Sequence, residues 1–307
     1  MIFEGSEKKV EVIVKGLNLR ELGREFWADV VDKAQATILS DISNEKVDAY
    51  LLSESSLFVW DHHLLMLTCG TTTLANAVEA IVNKVGADEI SALIYQRKNE
   101  HFGHLQNSTF YDDKERIEKL IDAKSLRFGP KHEHHNFLLH SNRPYTPIAD
   151  DFTSELLMYD IQSQASSFLT EPGHSSEAIR DFFELERLLP GFQIDDFAFD
   201  PYGYSMNAIK DQFYCTIHVT PQEESSYVSF ETNLPLGLDT QNIFKGLIEK
   251  LAPQSFDTVA FNCDMQQFMP ELYNRKTVVR ETLDIGYEVI FCHYYLEVEQ
   301  EQKAAQI

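Results

Sequence analysis

Two stretches of the chain, 49–96 and 213–263, carry the same order of predicted elements. Each runs strand, turn, strand, polar linker, helix and strand. Antiparallel strands that are interrupted by helices indicate an α+β fold. If this echo is a duplication, the halves, about 1–150 and 151–307, would pack sheet against sheet with their helices outside. A chance likeness between two common local orders is the alternative.

Hydrophobic patterning predicts the individual elements. Apolar residues at helical spacing predict helices over 23–36, 71–85, 112–123, 153–162, 175–189 and 240–251. Runs rich in β-branched and aromatic residues predict strands. These strands lie at 10–14, 49–52, 57–60, 90–96, 136–139, 192–199, 213–219, 227–231, 258–262, 276–281 and 287–294.

The charge balance excludes some classes of partner. The chain has 26 Lys and Arg against 49 Asp and Glu, a net charge of −23. Such a chain repels nucleic acid and anionic membranes and attracts cationic small molecules.

We expect no signal peptide and no membrane span, because the first residues lack a basic and then apolar pattern and no run reaches about 18 apolar residues. Four cysteines without a CxxC pair suit a reducing cytoplasm.

Several short segments hold polar or reactive residues that a fold alone does not require. They read FEGSEK at 3–8, SESS at 53–56, TCGTT at 68–72, FDPYGYSMN at 199–207, TIHVTP at 216–221 and SYVSFETN at 226–233. SESS alone indicates no more than a polar turn. Together, in this order and approximate spacing, the blocks resemble the eukaryotic, pyruvoyl-dependent S-adenosylmethionine decarboxylases. The resemblance implies a four-layer αββα sandwich of two related antiparallel-sheet halves.

The resemblance also implies that the chain cleaves itself between Glu54 and Ser55. The Ser55 hydroxyl would attack the Glu54 carbonyl and form an ester, and β-elimination would then break that ester. The products would be residues 1–54, which stay as a partner chain, and residues 55–307, which begin with a pyruvoyl group. His218 matches the base of the elimination step, and Ser205 matches a residue that assists processing. A neutral imidazole that titrates near pH 7 would suit that base.

Decarboxylation would follow at the pyruvoyl carbonyl, which forms a Schiff base with the substrate amine. Cys69 matches the family's proton donor. Glu7 matches a carboxylate used in processing and substrate binding, with Glu4 a weaker candidate and Glu54 a further contact. Phe3 and Phe199 match the aromatic pair that sandwiches adenine. The product, decarboxylated S-adenosylmethionine, would serve spermidine and spermine synthesis.

One position departs from the family pattern. Gln222 stands where relatives carry a glutamate that binds the ribose, although Glu223 follows it. A pyruvoyl decarboxylase of ornithine or arginine is therefore an alternative. A second alternative is an uncleaved regulatory paralogue, although the retained cleavage motif disfavours it. Homodimers of the two-chain unit are a further expectation.

A set of acidic and hydroxyl residues matches the site where putrescine activates the animal enzymes. Its members are Glu11, Asp151, Thr153, Glu155 and Glu231. Buried carboxylates repel one another unless a cation offsets their charge. Leu67 stands where many relatives have lysine, so the set looks poorly compensated. We therefore expect putrescine or another cation to affect activity or processing.

Two histidine runs resemble metal ligands. They are HFGH at 101–104 and HEHH at 132–135. Neither has the spacing of a zinc motif with partners. Both are predicted to be solvated loops, and no metal site is expected.

Overall fold

Two antiparallel sheets lie at the centre of the protein in the computed structural model. The structure describes residues 7–100, 103–161, 163–221 and 226–297, without the side chain of residue 163. Among these residues each sheet has eight strands. The first sheet contains β1 (Lys8–Val14), β2 (Ile38–Ser43), β3 (Val47–Leu52), β4 (Ser55–Trp60), β5 (His63–Thr68), β6 (Ile90–Lys98), β7 (Ala123–Phe128) and β8 (Asn136–Ser141). The second contains β9 (Thr153–Tyr159), β10 (Gln193–Ala198), β11 (Tyr204–Lys210), β12 (Phe213–Thr220), β13 (Tyr227–Thr232), β14 (Ser255–Phe261), β15 (Asn274–Thr282) and β16 (Glu288–Tyr295).

The helices of each half flank its own sheet. They are α1 (Gly23–Lys33), α2 (Leu74–Val85) and α3 (Phe110–Ile117) in the first half, and α4 (Ser163–Leu169), α5 (Ser176–Phe183), α6 (Leu185–Leu188) and α7 (Leu238–Leu251) in the second. Within the described ranges, none is long and apolar enough to cross a membrane.

The two sheets repeat one topology. The first has the order β2-β3-β4-β5-β1-β6-β8-β7, and the second has β10-β11-β12-β13-β9-β14-β16-β15. The opening strand of each half therefore lies in the middle of its sheet. This confirms the predicted α+β fold of two related antiparallel-sheet halves. The boundary near residue 150 and the division into two chains stay predictions.

Apolar clusters show how the layers stack. One cluster joins Trp27 of α1 and Val78 of α2 to the first sheet, and another joins Phe244 of α7 to the second. Two further clusters contain residues of both sheets, as where Phe58 packs against Tyr214. The sheets therefore face each other, and the helices cover their outer faces.

Residues 153–161 are not helical, which corrects the prediction of a helix over 153–162. Thr153–Tyr159 forms strand β9, and all seven of its residues are buried. A strand that is covered on both faces loses the alternation that identifies strands, so its apolar run resembles a buried helix. The helix predicted over 175–189 is two helices, because Glu184 has a left-handed φ of 54° between them. Strands β2, β5, β7 and β11 were not predicted.

Candidate active site

The Glu54–Ser55 bond lies in a two-residue turn between β3 and β4. Leu52 pairs with Ser55, so Ser53 and Glu54 form the turn. Ser55 has a φ of 140°, a region that residues with a side chain rarely adopt. Such a conformation costs on the order of 1–3 kcal/mol and persists only where the surroundings impose it. The predicted nucleophile is also only 2% exposed, so strain and exclusion of water coincide at this bond.

Two donors from Cys69 converge on the carbonyl oxygen of Glu54. Ser55 pairs with Thr68, the last residue of β5. Cys69, which follows Thr68, therefore lies opposite Glu54. The Cys69 N–H donates to that oxygen at 2.9 Å, and the thiol Sγ lies 3.3 Å from it. Burial, followed by the charges of Glu54 and Glu7, raises the pKa of the Cys69 thiol, which therefore keeps its proton. Donors placed this way stabilise negative charge on a carbonyl oxygen.

A buried lysine, Lys8, lies beside this turn and was not predicted to be in the site. Its Nζ donates to the Gly70 carbonyl at 2.9 Å. Burial, and then the charge of Arg97, lowers the pKa of Lys8 to about 8. Burial also raises the pKa of the Glu54 carboxyl to about 7, against the opposing charge of Lys8. The position of Lys8 next to Glu7 in the FEGSEK block is the signal that could have found it.

The predicted base, His218, is buried in the second sheet next to Ser205. Strands β11 and β12 pair these two residues, and His218 Nδ1 lies 2.9 Å from Ser205 Oγ. Its Nε2 lies 3.1 Å from the Ser56 hydroxyl, which belongs to the residue after the predicted cleavage site. Burial lowers the pKa of His218 to about 3. The imidazole is therefore neutral throughout the physiological range and does not titrate near pH 7 as expected.

The hydrogen-bond network assigns the tautomer of this imidazole. Asn207 Nδ2 donates to the Tyr50 carbonyl at 3.1 Å, which turns Asn207 Oδ1 towards Ser56. The Ser56 hydroxyl donates to that oxygen at 2.6 Å and has no second proton to give. His218 Nε2 must therefore carry the proton that faces Ser56. The lone pair of the imidazole is then on Nδ1, where it faces Ser205.

Ser56, Asn207 and Thr216 are residues of this network that sequence reasoning missed. Thr216 Oγ1 lies 2.8 Å from His218 Nε2 and donates to Asn207 Oδ1 at 3.2 Å. All three stand inside the blocks SESS, GYSMN and TIHVTP, which is the signal that marks them. Ser56 lies in the first sheet, whereas Asn207 and Thr216 lie in the second. The hydrogen bonds between them therefore depend on how the two sheets face each other.

Glu7 interacts both with the Glu54–Ser55 turn and with the buried Tyr227. Tyr227 donates to Glu7 Oε2 at 3.0 Å. Burial, and then the charge of Glu155, raises the pKa of Glu7. Glu7 in turn raises the pKa of Cys69, so its charge acts on the turn as well.

Phe199 begins the turn that joins β10 to β11. Its N–H donates to the Gly203 carbonyl at 2.9 Å, and its ring lies edge-on to that of Phe197 at 4.9 Å. Gly203 has a φ of 128°, and a side chain there would come within 3.4 Å of Phe199. The ring is half-buried at the end of β11 that carries Ser205. Phe3, Glu4 and Gln222 lie outside the described residues.

The acidic set contains a cation of its own, Lys9. The Lys9 ammonium lies 3.3 Å from Glu11, 2.8 Å from Glu155 and 3.0 Å from Glu231, and all four side chains are buried. The set is therefore compensated in part, by an ammonium that the prediction did not include. Glu7, just before β1, and Lys9 and Glu11 within it alternate along the chain and share the face towards the second sheet. This alternation could have indicated the ammonium.

Three carboxylates still face one ammonium. Burial raises the pKa of Glu231 to about 8, and Lys9 only partly opposes this effect. The Tyr214 hydroxyl donates to Glu231 as well. Glu231 therefore holds a proton at neutral pH. Asp151 accepts from the Tyr287 hydroxyl, and burial raises the pKa of Asp151 as well. Thr153 is buried two residues further along.

Glu231 should make stability depend on pH. Between the ordinary pKa of 4.5 and the folded value of about 8, the folded chain holds a proton that the unfolded chain has released. The stability of the protein should therefore fall as pH rises through this window. We expect Glu231→Gln to remove this contribution and flatten the profile of melting temperature against pH. The exposed Glu281→Gln is the control, and parallel profiles for Glu231→Gln and the unmodified protein would contradict the assignment.

Comparisons with known proteins agree with this geometry. The sequence profile described as "Adenosylmethionine decarboxylase" matches residues 1–295. The S-adenosylmethionine decarboxylase proenzyme of Dictyostelium discoideum is 33% identical over 329 residues, which cover 95% of this chain and 85% of that protein. The proenzyme of Ipomoea nil is 32% identical, with 85% of this chain and 79% of that protein covered. That of Drosophila melanogaster is 31% identical, with 84% and 82% covered.

A solved structure shares the fold. The crystal structure of the Trypanosoma brucei AdoMetDC-delta26 monomer aligns with a TM-score of 0.60 and 22% identity, over 79% of this chain and 99% of that one. At this identity the likeness concerns the fold alone. The profile match and the relatives above 30% identity concern the sequence itself. On these grounds the chain belongs to the adenosylmethionine decarboxylase family.

Proposed function

We propose that this chain is a proenzyme that cleaves its own Glu54–Ser55 bond and then decarboxylates S-adenosyl-L-methionine with the pyruvoyl group so formed. The product would supply aminopropyl groups for spermidine and spermine synthesis. The observation that carries the proposal is the pair of Cys69 donors on the Glu54 carbonyl oxygen, next to a strained Ser55. The names of the relatives, which are proenzymes of this decarboxylase, support it.

The first step exchanges an amide for an ester. The Ser55 Oγ attacks the Glu54 carbonyl carbon, and the negative charge that develops on the oxygen is stabilised by the Cys69 N–H and thiol. The C–N bond then breaks, and the hydroxyl proton ends on the freed Ser55 nitrogen. Ser55 leaves its unfavourable φ only when this bond is broken, so the strain favours the forward direction.

The second step removes the Cα proton of Ser55 and breaks the ester. Glu54 leaves with a free carboxylate, and residue 55 becomes dehydroalanine. Tautomerisation, addition of water and loss of ammonia convert it to pyruvoyl. His218 can accept the proton at Nδ1 through the Ser205 hydroxyl, since the tautomer leaves that nitrogen unprotonated.

The residues around the turn suit a pyruvoyl group at position 55. Such a group supplies a carbonyl for the substrate amine and an electron sink when CO2 leaves. Cys69 then holds a proton close to the reacting carbon, and its raised pKa keeps that proton available. Phe199 offers a half-buried ring for the adenine.

His218→Ala should stop processing at the ester. The expected product is a full-length chain that hydroxylamine cuts between residues 54 and 55, since hydroxylamine cleaves esters but spares ordinary amides. The amount of cut chain is measured by denaturing gel and mass spectrometry, with the exposed His62→Ala as the control. Ser205→Ala should slow the same step. Cleavage of folded His218→Ala at the unmodified rate would remove His218 from the mechanism.

Two measurements on the purified protein test the function as a whole. Mass spectrometry should show chains ending at Glu54 and beginning with pyruvoyl at position 55. Release of CO2 should occur with S-adenosylmethionine and not with ornithine or arginine supplied in parallel. Release from either amino acid alone would favour the alternative decarboxylase, and an intact chain without activity would favour a regulatory paralogue.

A further inference from the structure

Two histidines and an aspartate converge where the first half of the chain meets the second sheet. His134 precedes β8 of the first sheet, whereas Asp257 and His293 lie on β14 and β16 of the second. His134 Nδ1 lies 3.2 Å from Asp257 Oδ2, and His293 Nδ1 lies 2.7 Å from Asp257 Oδ1. The side chain of His134 is only 21% exposed, so the prediction that the 132–135 run is a solvated loop was wrong for this residue.

The surroundings hold these three side chains in place. Strand register pairs Asp257 with His293, and the two imidazole rings stack at 4.3 Å with 17° between their planes. The Tyr159 hydroxyl donates to Asp257 Oδ2 at 2.6 Å. Burial alone would raise the pKa of Asp257, but hydrogen bonds from His134 and His293 outweigh it and lower that pKa to about 2. Asp257 is therefore an anion that is only 1% exposed.

We propose that His134, Asp257 and His293 form a binding site for a divalent cation of the zinc class. Two imidazole nitrogens and one carboxylate oxygen are a donor set that Zn²⁺ uses, with a fourth position left for water. The three ligand atoms already lie within 4.8 Å of one another. Bonds of about 2.1 Å to a tetrahedral ion require separations of roughly 3.4 Å, so small movements of the side chains close the site.

Binding needs no other reactant. Each imidazole that now donates from Nδ1 moves that proton to Nε2 through solvent and presents its Nδ1 lone pair to the ion. No proton is released from a neutral imidazole by this exchange. The Tyr159 hydroxyl keeps its bond to the carboxylate and orients it, as outer-shell donors do in metal sites.

The position of the site implies a structural effect. His134 comes from the first half of the chain, and the other two ligands come from the second sheet. A bound ion would therefore join the two halves, and it would stabilise the folded chain because the unfolded chain does not preserve the site.

The test uses full-length protein without an affinity tag, freed of metal with a chelator. We expect a single equivalent of Zn²⁺ by calorimetric titration and a melting temperature raised by about 5 °C at a hundredfold excess over Kd. Co²⁺ should give the strong visible absorption of a tetrahedral site. His134→Ala and His293→Ala should abolish all three signals, whereas His132→Ala from the same run should keep them.

The choice of variants keeps the outcome decisive. His134 is partly exposed, so His134→Ala carries the test if the buried His293→Ala does not fold. Absence of stoichiometric Zn²⁺ binding by the unmodified protein would overturn the proposal. Binding that survives in His134→Ala would overturn it as well, and the three residues would then form a hydrogen-bonded contact between the halves and nothing more.

Discussion

A Ser55→Ala chain should remain full-length and show no decarboxylase activity above background. Alanine has no hydroxyl to attack the Glu54 carbonyl, so neither the ester nor the pyruvoyl group can form. The substitution should leave the rest of the site in place, because Cys69 bonds the Glu54 carbonyl and not the Ser55 side chain. Denaturing gels and intact mass measure the cleavage, and CO2 release measures the activity.

Two further variants make the result specific. Ser55→Cys keeps a nucleophile and should cleave, although more slowly than the unmodified chain. Ser53→Ala changes the neighbouring turn residue, whose hydroxyl accepts from the Thr37 N–H, and should cleave normally. Cleavage of Ser55→Ala at Glu54 would show that another group attacks the bond, and the proposed mechanism would fail.

Lys9→Met should cost about 3–5 kcal/mol of stability, the usual effect of removing one partner from a buried charge group. The loss leaves Glu11, Glu155 and Glu231 without the ammonium that faces all three. Thermal or urea unfolding measures the change. The exposed Lys15→Met, from the residue after β1, is the control and should change stability by no more than about 0.5 kcal/mol.

The same variant tests the effect of a diamine. Because Lys9 already supplies the cation, we propose that putrescine leaves the unmodified protein unchanged and partly restores the stability of Lys9→Met. Unfolding curves with and without putrescine measure both effects. A strong response of the unmodified protein, together with a stable Lys9→Met, would show that Lys9 does not act as the internal cation.

Local patterns were sufficient for much of the fold. The echo between 49–96 and 213–263 matches the shared strand order only after a shift of one strand. By position in their sheets, β12, β13 and β14 correspond to β4, β5 and β6, so the first stretch contains an additional strand. Strand β9 was misread because both of its faces are buried. Its central place in the second sheet depends on β13 and β14, which follow much later in the chain.

The site was predictable only as far as its motifs extend. Ser55, Cys69, Ser205 and His218 stand in recognisable blocks, and the structure brings Ser205 and His218 into contact. The role of Lys9 depends on carboxylates from β9 and β13 that meet it across the interface between sheets. The meeting of His134 with His293 depends on the same interface. No local pattern encodes the relative position of two sheets.

Strand β1 lies between β5 and β6, although the proposed cut separates β1 from both. Strand β3 likewise remains paired with β4 on the other side of the cut. The two mature chains would be interlocked within one sheet, and neither could leave without opening rows of backbone hydrogen bonds on both edges of β1. Folding must then precede cutting. Once unfolded, the mature protein would have to reassemble from two molecules, so its recovery would depend on protein concentration while that of the uncut chain would not.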